Sequence, residues 1–205
     1  MKKKNIVLII VLSILGLFLL TAFTIIPFFL ILYSTATSKP IITDNIDKYD
    51  QVIGDQSEYS YKWGMNEEIF PKKIKESYDV KEFVNVYYNP WDANYLTFLE
   101  IEYNDEDYDK EINRLKEIGI ERYKGIYGAE GFDKYELVAM ESDSYQGLIY
   151  ALTDNDNKII YVEMIFCNYI MDIDYEEYIP KDYLPKGFNA KEDNPYRKEN
   201  IDQKK

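Results

Sequence analysis

The sequence predicts an α+β fold: a single N-terminal transmembrane helix, then one domain with a mainly antiparallel sheet and one packed helix. Three observations predict it. An uncharged apolar run extends from Ile6 to Leu32, a capped amphipathic helix begins after Asn104, and strand-like segments separated by turn residues fill Phe83 to Cys167.

The apolar run holds 27 residues, interrupted only by Ser13, Gly16, Thr21, Thr24 and Pro27. At 1.5 Å per residue it forms a helix of about 40 Å, longer than the ~30 Å hydrocarbon core of a bilayer. Lys2, Lys3 and Lys4 precede it, and no basic residue follows until Lys39. The positive-inside bias therefore predicts a cytoplasmic N-terminus (residues 1–5), a signal anchor (6–33), and the remainder outside the cell membrane. Ser34-Thr35-Ala36 would suit a signal peptidase, but the apolar run is much longer than the ~7–15 residues of a cleavable signal. A short tether (34–43), an extracytoplasmic α+β domain (44–188) and a polar, disordered tail (189–205) are expected to follow.

The chain has 205 residues and a formal net charge of −13. All three charges before residue 34 are basic, so the exported part carries 21 basic against 37 acidic side chains, a net of −16. A field of that sign disfavours nucleic acid and anionic headgroups and tolerates basic partners. Histidine is absent, which removes Ser-His-Asp and Cys-His nucleophile activation and imidazole metal sites. Cys167 is the only cysteine, so there is no intramolecular disulfide and no thiolate cage; its place in an apolar run reads as a buried, inert thiol. The nine glycines are scattered singly, and no phosphate-cradling loop is formed. No cofactor, metal or nucleotide is expected.

Within the domain, Phe83–Tyr88 and Tyr95–Tyr103 read as strands joined by a turn at Asn89-Pro90. Leu99, Ile101 and Tyr103 alternate with Glu100 and Glu102, which predicts one apolar and one wet side. A helix over 105–118 follows, capped by Asn104, with Asp105, Glu106 and Asp107 in its first turn and Gly119 as its stop. Tyr108, Ile112, Leu115 and Ile118 form its apolar face. Segments 121–127, 135–141, 145–153 and 158–167 are further strands, the last apolar on both faces except at Glu163 and so central. Asp154-Asn155-Asp156-Asn157 is a hairpin turn joining two antiparallel neighbours. Tyr178-Ile179-Pro180-Lys181 and Tyr183-Leu184-Pro185-Lys186 repeat as a loop strapped on by aromatics. Period-two spacing at Tyr59, Tyr61, Trp63 and Met65 suggests a first strand.

Candidate chemistry is sparse. The Asp154–Asn157 run has calcium-ligand types, but Ile159 and Ile165 stand where an EF-hand loop needs glycine and an acid, so the hairpin reading prevails. Asp172, Asp174, Glu176 and Glu177 form another acidic cluster. Glu163, isolated in an apolar strand, is either a raised-pKa catalytic acid or a core carboxylate paired with lysine or tyrosine. Trp63 and Trp91 are the candidate ligand-binding residues. Trp91 sits in the turn Asn89-Pro90-Trp91-Asp92, where packing accounts for it least well. The leading expectation is a membrane-anchored, non-enzymatic module that binds a protein partner or envelope glycan. A carboxylate-dependent envelope hydrolase or transferase, and an accessory subunit of a transport or secretion complex, are the alternatives.

Overall fold

The structure is a computed structural model that describes residues 3–54, 57, 59, 62–65 and 67–197. The chain divides into two units, residues 1–39 and 40–205. The first is helix α1 (Lys3–Ala36), which continues through Pro27. Its span Leu8–Tyr33 has a mean hydropathy of 2.8 and is long and apolar enough to cross a membrane. Thr21 and Thr24 return their hydroxyls to carbonyls one turn back, so these two hydroxyls have backbone partners within the span.

The second unit is an α+β domain built on one six-stranded antiparallel sheet. Its strands are β1 (Ile41–Thr43), β2 (Asp79–Tyr88), β3 (Asn94–Glu102), β4 (Glu136–Asp143), β5 (Gly147–Thr153) and β6 (Lys158–Ile165), in the order β1-β2-β3-β6-β5-β4. Two short helices, α2 (Tyr49–Val52) and α4 (Tyr175–Tyr178), accompany the longer α3 (Asp105–Ile118). As the apolar pattern of 158–167 demands, β6 lies inside the sheet between β3 and β5 and is buried from Ile159 onward. The hairpin at 154–157 forms as expected, with Asn155 and Asn157 in the left-handed region that asparagine tolerates.

Alternation along the strands makes two cores. One face of the sheet presents Phe83, Leu99, Ile101, Ile149, Ile159 and Tyr161 to Ile112 and Leu115 of α3 and to Tyr49, Val52, Ile69 and Phe70. The other presents Val86, Leu96, Phe98, Tyr150, Ile160 and Val162 to the segment after β6, whose Met171, Ile173, Tyr175, Ile179 and Tyr183 close over it. Tyr183 stacks on Phe98 at 5.6 Å between centroids. The repeated Tyr-Ile-Pro and Tyr-Leu-Pro loop is thus an apolar strap.

That strap corrects the expectation of a wet side. Glu102 is exposed, but Glu100 is buried, accepting a 2.8 Å hydrogen bond from the Tyr183 hydroxyl and pairing with Lys158 at 2.6 Å. Packing also extends past 188: Ala190 and Asn194 are buried, and the Asn194 side chain donates to the Tyr169 carbonyl. Residues 198–205 of the expected tail lie outside the described residues.

Helix α3 has the predicted bounds. The Asn104 side chain accepts from the Asp107 amide, and Gly119 closes the end at φ 84°. Its apolar face is rotated slightly from the prediction, since Ile118 is exposed and Glu111 is buried. Residues 121–127 are not a strand. Ile120 makes one parallel bridge to Met140, and the chain then turns through Gly125 (φ 90°) and Tyr127 (φ 49°) into a 3-10 turn. Tyr123 and Tyr127 reach the core from this loop, which mimics strand alternation in the sequence. The described residues 59 and 62–65 do not form the expected strand either: Trp63 and Gly64 have positive φ, and the Met65 amide bonds the Lys62 carbonyl in a turn. Tyr61 lies outside the described residues.

Candidate functional site

Both tryptophans singled out from the sequence come to one corner of the domain, at the β2–β3 turn. Trp63 is half-buried, and its indole N–H donates to the Ala93 carbonyl at 2.7 Å. Two residues before that carbonyl, Trp91 stands 66% exposed. The turn is braced from two further directions. Asn168 Nδ2 donates to Asp92 Oδ2 at 2.6 Å, and the Asp172 amide donates to Asn94 Oδ1 at 2.9 Å. Asn94 Nδ2 in turn holds the Asp92 carbonyl at 3.0 Å.

Asn168 and Tyr169 both occupy the left-handed region (φ 59° and 65°), which reverses the chain after β6 and aims Asn168 at Asp92. The Tyr145 hydroxyl donates to the Asn168 side chain, and the Cys167 thiol lies 3.7 Å from that hydroxyl. The Cys167 contact and partial burial push the Tyr145 hydroxyl up to about 12. Burial also raises the Asp172 carboxyl, with Asp92 and Glu192 acting in the same direction against the Asn94 hydrogen bond. Cys167 itself is half-buried just beyond β6, less enclosed than its apolar run suggests, because pairing ends at Ile165. Beneath the turn, Tyr59 stacks on Tyr87 at 4.3 Å, and Tyr87 packs on Tyr95 at 5.4 Å. Chemically, the corner offers an exposed indole beside a carboxylate, on a turn already fixed in shape.

Glu163 is elsewhere and different in kind. It is 0% exposed, and Lys62, 2% exposed, places its ammonium 2.9 Å from each carboxylate oxygen. Thr97, its partner across the β3–β6 ladder, donates to Glu163 Oε1 at 3.0 Å, and Asn85, one strand further, donates to Thr97 at 2.8 Å. Of the two readings of Glu163, the geometry gives the core carboxylate paired with lysine. Sequence pattern could not name the partner, because Lys62 lies in an irregular segment 101 residues away.

A second polar network, with no sequence signal, joins α3 to the sheet. The Tyr161 hydroxyl lies 2.7 Å from that of Tyr103 and donates to Glu111 Oε1 at 2.8 Å; Arg114 forks onto the same carboxylate and onto the Ile69 carbonyl. Burial, with the charge of Glu111 nearby, raises the Tyr103 and Tyr161 hydroxyls well above their ordinary range, so both remain neutral donors.

Several carboxylates of the acidic clusters are tied up internally. Asp154 Oδ1 accepts from the amides of Asp156 and Lys158, as a hairpin turn requires. Asp174 and Glu176 share Lys191, and Asp107 takes Lys75, Ser77 and Asn104. Among the described residues no group of three or more acidic or cysteine side chains is arranged to hold a metal ion.

Together these features define a class: a compact acidic α+β domain in a chain whose N-terminal helix could cross a membrane. Compared with family models, curated proteins and solved structures, the chain matches none.

Proposed function

We propose that the protein is a single-pass, membrane-tethered binding module, its N-terminus cytoplasmic and its domain on the outer side, which captures a partner protein of the cell envelope at the Trp91 corner. The observation that carries this reading is Trp91 itself. A large indole left 66% exposed forfeits the hydrophobic gain of burial. It does so on a turn held by Trp63, Asn168 and Asp172, so little entropy remains to be lost when a partner covers it.

Asp92 beside it, and the net of −16 carried beyond residue 33, favour a basic segment in that partner: a lysine or arginine over the indole face with its charge met by the carboxylate. Tryptophan is also among the residue types that dominate interface energetics.

The test is photo-crosslinking of the full chain in its own membranes, with a photoreactive aromatic residue substituted at position 91. A discrete adduct that is lost when the reactive group is moved to the exposed helix position Lys116 is expected. A ladder of adducts no different from that of the Lys116 probe, or no adduct at all, would count against the reading.

A further inference from the structure

The sheet ends in two edge strands, β4 and β1, and the two edges differ. The outer side of β4 is occupied. The Glu121 amide donates to the Met140 carbonyl and the Met140 amide to the Gly119 carbonyl, both at 3.0 Å, and the Glu121 carboxylate takes the Ser142 amide at 2.8 Å. At the other side, the length of β2 that runs past β1 is guarded differently. A bulge between Val80 and Glu82 breaks its register, and Lys81 there joins Asp79 and Glu102 in exposed ion pairs. Bulges and edge lysines both discourage a further strand.

Strand β1 has neither device. Ile41, Ile42 and Thr43 pair with Tyr87, Val86 and Asn85 on one side, and among the described residues no strand or backbone hydrogen bond covers the other. Ile41 and Ile42 are 55% and 53% exposed. An uncharged, regular edge with apolar side chains is a template for an added strand, in which main-chain hydrogen bonds give affinity and alternate side chains give specificity.

The register also sets this edge beside the Trp91 corner. Ile41 pairs with Tyr87, four residues before Trp91, so β1 begins at the sheet end that carries the β2–β3 turn. With ~4.8 Å between neighbouring strands, a strand added outside β1 lies ~10 Å from β2, close enough for one chain to run along β1 and on over Trp91.

Charge chooses the occupant. Asp44, Asp47 and Asp50 stand exposed in the residues after β1, Lys48 is the one lysine of residues 40–50, and Asp92 follows Trp91 directly. A second copy would bring the same carboxylates, and another net of −16, against the first, whereas a basic strand meets opposite charge.

We infer that β1 takes an extended basic segment of the partner protein as a seventh strand of the sheet, the same segment running on over Trp91. This names the mode in which the partner binds, and it rests on the reading of the Trp91 corner as a recognition site.

The test places the full chain in nanodiscs of zwitterionic lipid and adds, to about 1 mM, either of two ten-residue probe peptides: one alternates lysine with valine, the other glutamate with valine. Hydrogen exchange read by mass spectrometry follows the fragments containing residues 41–43 and residue 91. Exchange at 41–43 is expected to slow at least threefold with the lysine peptide, the factor that a Kd of about 0.5 mM gives at that concentration, and to stay unchanged with the glutamate peptide. The slowing should vanish in Ile41→Lys/Ile42→Lys, which alters exposed side chains alone and gives the edge the charge it lacks. Slowing confined to the fragment with Trp91 would overturn the added strand and leave the Trp91 reading standing. Equal slowing by both peptides, or slowing that survives the lysine substitutions, would overturn it too. Protection of 41–43 without peptide that grows with the number of copies per nanodisc would assign the edge to a second copy and overturn the inference. No slowing at either fragment would also overturn it, and the crosslinking at position 91 then judges the Trp91 reading by itself.

Discussion

Lys62 and Glu163 meet in the middle of a sheet face, the ammonium 2.9 Å from each carboxylate oxygen, with side chains 2% and 0% exposed. The pair pins the turn at residues 62–65 to the central strand. Removing one partner leaves an uncompensated buried charge. Glu163→Leu or Lys62→Met alone should therefore cost about 3–5 kcal/mol, while the double apolar replacement should recover most of that loss. Urea denaturation of the four proteins in a double-mutant cycle measures it. Additive losses would show that the two groups do not act as a pair.

The start of α3 gives a pH signature. The hydrogen bond from Lys75, followed by that from Asn104, holds the Asp107 carboxyl down to about 2 from its ordinary 3.8. A carboxyl whose folded value is depressed stabilises the fold above its unfolded value, and that contribution is lost as pH falls through the folded value. Wild type should thus exceed Asp107→Asn in Tm at pH 6, and the gap should close between about pH 4 and pH 2. Thermal melts across that range check it, and a constant gap would rule out this linkage.

Capping at the same site is separable from charge. Asn104→Ala removes the acceptor for the Asp107 amide and should cost about 1 kcal/mol. Its effect on urea midpoints should be as large at pH 6 as at pH 8, since no titration is involved.

At Gly147, which opens β5 at φ 121°, an added Cβ would meet the Met164 carbonyl oxygen at 2.0 Å. Gly147→Ala should destabilise by more than about 2 kcal/mol through strain and broken β5–β6 pairing. By contrast Trp91→Ala should stay within about 0.5 kcal/mol of wild type, because its ring is mostly in solvent. Paired thermal melts of the two variants distinguish a residue the fold depends on from one it does not.

Which of these features could be read from sequence follows from their range. The apolar run, the Asn104 cap, Gly119 and the Asp154–Asn157 turn are local, and the structure has a helix, a cap, a stop and a hairpin at the predicted places. Burial of β6 was legible because an apolar run on both faces needs cover on both sides. What covers it was not: Glu100 looks like a solvent residue until Tyr183, 83 positions later, folds over it. The same holds for Lys62, which meets Glu163 from 101 positions away. The exposure of Trp91 was legible because a tryptophan in an Asn-Pro turn has no packing reason to be there. Its bracing by Asn168 and Asp172 depends on tertiary contacts. Tyr127 misled the strand reading, since a left-handed turn can bury an aromatic as well as a strand does.

Every functional statement rests on which side of the membrane the domain occupies, and protease accessibility decides that directly. The full chain, tagged at its N-terminus, is expressed in intact cells and treated with an impermeant protease. Loss of residues 40–205 with the N-terminal tag protected is the predicted result. A domain that survives until the membrane is opened would contradict the account.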